Sequence, residues 1–280
     1  MVITMIDFEG KFREYLHAYA KQHVLNDEEL DEKAPDLYLK WLETPMKWLD
    51  GVSPVDYFKS FEAHELIEQL GGYIIGKVTL PGALLNQIAD TKQETYPYLT
   101  ALLTKYEGEA AVKIKTTIVR LIEEMDMAHP YEYYIEMIEA AYEKDDFIES
   151  AAQELKNSGS EYLESLILAY GRAKNAYVGD CILDILCDIS FDERVYQFAL
   201  DKFLYSETGR AFYASCLGKL GNAGAVPYLE ESLQDDDTGY YDYMAIKNAL
   251  EELGSEVTID RDFSGDRDYE SLKNYKDTEE

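Results

Sequence analysis

The residue types that most often do chemistry are scarce in this chain of 280 residues. Its four histidines are His17, His23, His64 and His129, and none of them stands in an HxxxH or HExxH spacing. Such spacings place two imidazoles on one face of a helix, where they can share a metal ion. The one His–Glu step, His64-Glu65, supplies too few ligands by itself. We therefore predict no metal site, no cofactor and no catalytic residue.

The three cysteines are Cys181, Cys187 and Cys216. They are too few, and odd in number, for a disulfide framework, and none forms a CxxC pair. We expect them to be reduced and buried. The first residues, MVITMIDFEGKFREYL, lack the basic start and the continuous apolar core of a signal peptide. No run approaches the roughly 20 apolar residues of a transmembrane helix, so we expect a cytoplasmic protein without a membrane partner.

The charge of the chain is strongly negative, with 56 Asp and Glu against 26 Lys and Arg and a net charge of −30. Such a surface repels nucleic acids, because their binding requires clustered Lys and Arg. The acidic runs DEELDE, EEMD and DDD lack the ligand spacing of a calcium loop. Phosphate-binding and nucleophile-elbow motifs are also absent from the sequence. The charge favours a basic protein or peptide as the partner, although it is also explained by solubility alone.

Tyrosine is the most abundant candidate for binding chemistry, with 24 occurrences. It offers a large rigid ring with a polar tip and is enriched at protein interfaces. Two clusters stand out, at residues 131–134 and 240–243. Some of these rings must belong to the core, so the clusters predict either an interface or packing between helices.

Helices must position these residues, because apolar side chains recur every three or four positions and period-two alternation is nearly absent. The sequence therefore predicts an all-α fold. From about residue 94 the predicted helices come in pairs that start 30 to 37 residues apart, which is the range of two-helix repeats. The predicted pairs are 94–106 with 110–125, 131–142 with 145–156, 161–170 with 177–187, 193–203 with 209–220, and 225–233 with 240–253.

Two segments near the end of the chain repeat a pattern at a distance of 33 residues. RAFYASCLGKLG, at 210–221, aligns with YMAIKNALEELG, at 243–254, and AGAVPYLEESLQDDD lies between them. This unit resembles a HEAT repeat of the short, lyase-associated type. The residues that carry the resemblance are Ala225, Val226, Pro227, Leu229, Leu233, Asp235, Asp237, Ala249, Leu250, Leu253 and Gly254.

The HEAT-like resemblance implies an α-α superhelix whose second helices line a concave surface. On that surface it places four candidate partner-binding residues: Arg210, Asp242, Tyr243 and Lys247. Related repeats often carry Arg early in the second helix, where it supports the neighbouring repeat. Arg210 fills this position, whereas Tyr243 occupies it in the last repeat.

Three regions are predicted along the chain. Residues 1–90 follow the repeat poorly and are predicted to form a divergent helical N-terminal cap, which protects the end of a stack. Its helices are predicted at 4–22, 28–42, 54–70 and 81–89. Residues 91–254 form the HEAT-like array, and 255–280 form a polar, charged tail. Trp41 and Trp48 are predicted to join the cap to the stack, although WLETPMKWLDGVSPVDYF also resembles a toxin-binding segment of some antitoxins.

These observations predict a non-enzymatic protein-binding scaffold with an acidic, tyrosine-rich concave surface for a basic partner. Two alternatives stay open. The first is a neutralising protein, of the antitoxin or immunity type, whose acidity complements a cationic toxin. The second is a HEAT-like lyase or hydroxylase, which would require a bound metal or pigment. The sequence leaves the oligomeric state and the partner's identity open.

Overall fold

The structure, a computed structural model, describes residues 5–255, 257 and 261–276. These residues form α-helices joined by short turns and contain no β-strand, so the predicted all-α fold is confirmed. The helices pack against neighbouring helices in antiparallel succession. In chain order they are α1 Phe8–His23, α2 Asp27–Glu43, α3 Ala63–Ile75, α4 Gly82–Asp90, α5 Lys92–Leu102, α6 Glu109–Glu124, α7 Tyr131–Ala140, α8 Asp146–Lys156, α9 Leu163–Arg172, α10 Ala176–Ile189, α11 Glu193–Tyr205, α12 Arg210–Leu220, α13 Val226–Gln234, α14 Tyr240–Glu252 and α15 Arg267–Lys276.

The helices fall into two compact units. Unit 1 comprises Met1–Pro130 with Asp145–Ser150, and unit 2 comprises Tyr131–Lys144 with Ala151–Glu280. The predicted cap, 1–90, and the first part of the predicted array both lie in unit 1, so a boundary at residue 90 stays a prediction. Thr4, the predicted start of the first helix, lies outside the described residues.

The start of α2 shows how local sequence sets a helix boundary. The Asn26 side chain accepts a hydrogen bond from the Glu29 N–H at 2.9 Å, and the Glu29 carboxylate accepts one from the Asn26 N–H at 3.0 Å. This capping box satisfies backbone donors that the first turn of a helix leaves unpaired. Asn26 and Glu29 therefore fix the start of α2 by local contacts alone.

The predicted continuous helix at 54–70 is wrong. Short 3₁₀ turns occupy Lys47–Leu49 and Tyr57–Ser60, and α3 begins only at Ala63. The Ser53 hydroxyl, predicted to cap a helix, instead donates to the Asp56 carboxylate across a turn, at 2.7 Å. This turn places Phe58 in the core with no exposed surface. Burial of the ring outweighs the local helix signal.

The predicted helix end at Gly71-Gly72 is also wrong, because α3 continues to Ile75. A Cβ atom on Gly72 would lie 2.6 Å from the Met5 Cε, and one on Gly71 would contact Tyr106. These glycines allow neighbouring side chains to approach the helix closely. Close packing, and not helix termination, explains why glycine stands there.

In unit 2 the predicted helix boundaries agree with the structure to within a few residues. The first helices α7, α9, α11 and α13 begin at residues 131, 163, 193 and 226, and Gly221 ends α12 in the left-handed conformation, with φ of 69°. Contacts within the pairs α9–α10, α11–α12 and α13–α14 bury a continuous apolar core. The predicted spacing of helix pairs in this region is therefore present in the structure.

Polar bonds join residues about one repeat apart in unit 2. Arg172 on α9 forms a bidentate pair with Glu139 on α7, at 2.8 and 2.7 Å, and Arg194 pairs with Glu164 in the same way. The partners are 33 and 30 residues apart. Sequence reasoning assigned this bridging role to Arg210 and missed the arginines of the first helices.

Candidate functional site

Two of the predicted partner-binding residues lie where second helices begin. Arg210 is the first residue of α12, and Asp242 lies in the first turn of α14. The Asp242 carboxylate accepts a hydrogen bond from the Ala211 N–H at 2.9 Å. Gly209, the residue before α12, has no side chain to cap that helix, so Asp242 caps it from the next repeat. Asp242 therefore has a structural role that the sequence did not indicate.

Tyr243 is buried, with only 4% of its surface exposed. Its ring packs edge-on against Phe263 of the C-terminal segment, with 4.9 Å between ring centroids. The expectation that Tyr243 faces a partner is not met, because Phe263 covers it. The exposed tyrosine of this helix is Tyr241, at 51%. Lys247, one turn further along α14, is half-buried.

Four tyrosines of unit 2 lie at the same end of the helix pairs, and three of them are exposed, whereas Tyr170 is half-buried. In an antiparallel pair, the end of the first helix and the start of the second meet at the same end. At this end the Asn175 side-chain amide donates a hydrogen bond to the Ala141 carbonyl at 3.2 Å. This bond joins the turn after α7 to the turn after α9. We name this surface the tyrosine edge, and its tyrosines are Tyr142, Tyr170, Tyr205 and Tyr241.

Exposure distinguishes the tyrosine edge from ordinary core packing. Tyr142 is 83% exposed and Tyr205 is 80% exposed. A large aromatic ring in water is available for contact with a partner, because burying it releases free energy. Exposed tyrosines therefore lie at this edge, and Tyr243 is not among them. A tyrosine-rich concave binding surface stays a prediction.

A groove of ≈ 310 Å³ lies on the tyrosine edge between α9 and α11. The Tyr170 and Phe198 rings stack at 4.5 Å and form one wall. Asp201 supplies an exposed carboxylate, and Tyr205 stands beside it. The remaining lining residues are Lys202 and Ser206.

The positive charge of Lys202 is directed at a neighbouring ring. Its ammonium lies 5.9 Å from the centre of the Tyr213 ring, within the range of a cation–π contact. The Tyr213 hydroxyl in turn donates to the Asp180 carboxylate at 2.9 Å, from α12 to α10. The groove therefore combines aromatic walls with the Asp201 carboxylate and a lysine whose ammonium is directed at the Tyr213 ring.

Tyr170, which lines the groove, and Tyr213, which Lys202 contacts, both stay protonated near neutral pH. Burial, assisted by the negative charges of Asp180 and Asp201, raises the pKa of Tyr170 to about 12. Burial and the hydrogen bond to Asp180 raise the pKa of Tyr213 to about 12 as well. Neither phenol can act as an anionic nucleophile or base at neutral pH, so these rings offer surface and hydrogen bonds.

The ends of the second helices carry a separate charge network. Lys156 on α8 contacts Asp184 and Asp188 on α10 at 2.6 and 2.9 Å, and Lys219 on α12 contacts the same pair at 3.0 Å. Burial alone would raise the pKa of Asp184, but the two ammonium groups outweigh it and lower this pKa. Four charges are thus mutually satisfied between three helices.

The cysteines beside this network are free thiols, as predicted. Burial raises the pKa of Cys181 to about 11, and the contact with Cys187, together with burial, raises the pKa of Cys216. A thiol must ionise to act as a nucleophile or metal ligand, and these pKa values keep the thiols protonated. The chemistry of this cluster is that of core packing.

No family model, no curated protein and no solved structure matches this chain. The HEAT-like resemblance therefore stays a prediction, and the site is interpreted from its own geometry. In the part of the chain that the structure describes, no group of three or more His, Cys, Asp or Glu side chains is arranged to hold a metal ion. None of the described helices is both long enough and apolar enough to cross a membrane.

Proposed function

We propose that this protein is a non-enzymatic binding scaffold whose tyrosine edge binds a basic segment of a partner protein. The groove beside Tyr205 carries the proposal, because it places stacked aromatic rings and the Asp201 carboxylate within one surface depression. Aromatic side chains dominate binding energy at protein interfaces, and acidic ones steer a cationic partner to them.

The charge of unit 2 supports a basic partner. By sequence, unit 2 contains 31 Asp and Glu against 13 Lys and Arg, a net charge of −18. Four of its thirteen cations, Lys156, Lys219, Arg172 and Arg194, each contact a carboxylate inside the unit. These ion pairs neutralise carboxylates together with cations, so the excess of negative charge in unit 2 is left on its remaining side chains. An antitoxin or immunity protein would be a special case, with a cationic toxin as the partner.

A labelled lysine decamer is a suitable first probe for the tyrosine edge, with fluorescence anisotropy as the measurement. The test variant combines Y205A with D201N, and the control combines Y228A with E231Q. The control also removes an exposed tyrosine and an exposed acid, but from α13, where Tyr228 lies near the opposite end of the helix pairs.

We expect the test variant to weaken binding by about tenfold, since an interface tyrosine contributes roughly 1 to 2 kcal/mol. The affinity of the control variant for the lysine decamer should stay within about twofold of that of the unaltered protein. Attraction to the net charge of the whole unit changes little when one charge is lost. Equal weakening by both variants would show that the probe senses net charge only. That result would refute the tyrosine edge as the site.

A further inference from the structure

A second pocket, of ≈ 300 Å³, lies within unit 1. It is enclosed by the first turns of α1, the last half of α2 and the start of α4. This volume is in the range of small-molecule sites. The lining residues are Phe8, Glu9, Phe12, Tyr38, Trp41, Leu42, Pro54, Thr79, Leu80, Pro81, Gly82 and Ala83.

Aromatic rings form the α1–α2 side of this pocket. Phe12 lies 4.9 Å from Tyr38 and 5.4 Å from Trp41 between ring centroids, inclined by 75° and 56°. Trp41 is almost fully buried, whereas Tyr38 remains 39% exposed at the rim. Tyr38 and Trp41 stack on each other at 6.1 Å and 21°, and Phe12 is inclined to both, so the rings present two differently oriented surfaces to a bound group.

Among the residues that the structure describes, Glu9 is the one charged side chain that lines the pocket. Its carboxylate lies 4.0 Å from the Arg13 guanidinium, and both side chains are at least half exposed. A pair at this distance and exposure neutralises little charge. The carboxylate therefore makes the α1–α2 side of the pocket negative.

We propose that this pocket binds a small organic cation with a quaternary ammonium group, of the choline class. The negative faces of aromatic rings attract such cations, and aromatic cages with a carboxylate recognise them. A quaternary ammonium has no N–H donors to satisfy, so burial among apolar walls costs it little hydrogen bonding. A primary ammonium would lose hydration that these walls cannot replace.

The start of α4 limits where the cation can lie. Gly82 and Ala83 bring the N-terminus of this helix to the pocket wall. A helix N-terminus carries partial positive charge and disfavours a cation next to it. The ammonium therefore sits on the side of Glu9, Tyr38 and Trp41.

The test titrates the full chain with choline and with its uncharged isostere 3,3-dimethylbutan-1-ol. Trp41 and Trp48 are the only tryptophans, so a W48F variant leaves the pocket ring as the fluorescence reporter. Calorimetry on the unaltered protein gives a second readout that does not depend on the tryptophan. We expect saturable binding of choline, roughly 5- to 30-fold tighter than the isostere, from the cation–π and carboxylate attraction.

Two variants and two matched controls locate the site. Y38L and E9Q should each weaken choline binding at least about threefold. Y98L removes a comparably exposed tyrosine from the same unit, and E14Q removes an acid from the same helix, α1, and neither residue lines the pocket. Both should leave choline binding unchanged.

Equal affinity for choline and its isostere would show an apolar pocket without cation recognition and would overturn the proposal. Absence of saturable heat with choline would overturn it as well. So would a loss of binding in Y98L or E14Q as large as in Y38L. Because the pocket lies in unit 1, these outcomes are independent of the lysine-decamer test on unit 2.

Discussion

Unit 1 and unit 2 are both helical, but different forces specify them. Unit 2 repeats one arrangement, in which ion pairs and caps join residues 30 to 35 positions apart, as for Arg172 with Glu139 and Lys219 with Asp184. The N-terminal part of unit 1 is organised by an aromatic cluster, in which Phe8 contacts Trp48, Tyr57 and Phe58 at 5.6 to 5.7 Å. Periodic packing is readable from sequence, whereas an irregular aromatic core is not.

The largest effect that tests this comparison comes from F58A in unit 1. The Phe58 ring is fully buried, so its removal should destabilise the unit by about 3 to 5 kcal/mol, from lost apolar burial and the remaining cavity. Urea unfolding monitored by circular dichroism measures the change in the free energy of unfolding. Phe191 of unit 2 is 52% exposed, and F191A serves as the control with little expected effect. If F58A and F191A lost the same amount of stability, burial of the Phe58 ring would not be what stabilises unit 1.

A crowded contact between α12 and α14 offers the corresponding test of unit 2. A Cβ atom on Gly218 would lie 3.1 Å from the Ala249 Cα and 3.2 Å from its Cβ, so larger side chains must separate the helices. We expect G218V to cost about 1 to 3 kcal/mol through overpacking. The urea midpoint measures this cost, and G171V, at a position with open space, controls for placing valine near a helix end. An unchanged midpoint in G218V would mean that the close helix contact contributes little.

The contrast between units also explains how much could be predicted. The Asn26–Glu29 capping box and the Gly221 helix end are local signals, and the structure contains both. The cap that Asp242 provides to α12, and the cover that Phe263 provides to Tyr243, join residues distant in sequence. Such contacts depend on the folded arrangement of helices, so composition and spacing do not indicate them. For this reason the sequence did not indicate that Tyr243 is buried or that Asp242 caps a neighbouring helix.

The Lys156–Asp184–Asp188–Lys219 network should make the stability of unit 2 depend on pH. The folded-state pKa of Asp184 is lowered, so its contribution is present above the unfolded value near 4 and is lost as the pH falls through the folded value. We expect the urea midpoint to fall between about pH 5 and pH 3. K219M, which removes one ammonium, should lower the free energy of unfolding at pH 7 by about 1 kcal/mol and make the midpoint less dependent on pH. An unchanged acid dependence in K219M would exclude the network as its source.

The smallest expected effect concerns the exposed bond between Arg194 and Glu164. Both side chains are largely in water, so the energy of their attraction is offset by the hydration and side-chain freedom that pairing restricts. We therefore expect R194A to leave the urea midpoint unchanged at physiological salt, although this pair connects two repeats. A clear loss of stability would mean that polar bonds between repeats hold unit 2 together. An unchanged midpoint, alongside a destabilised G218V, would assign that role to apolar packing between helices and leave the polar bonds to fix their register.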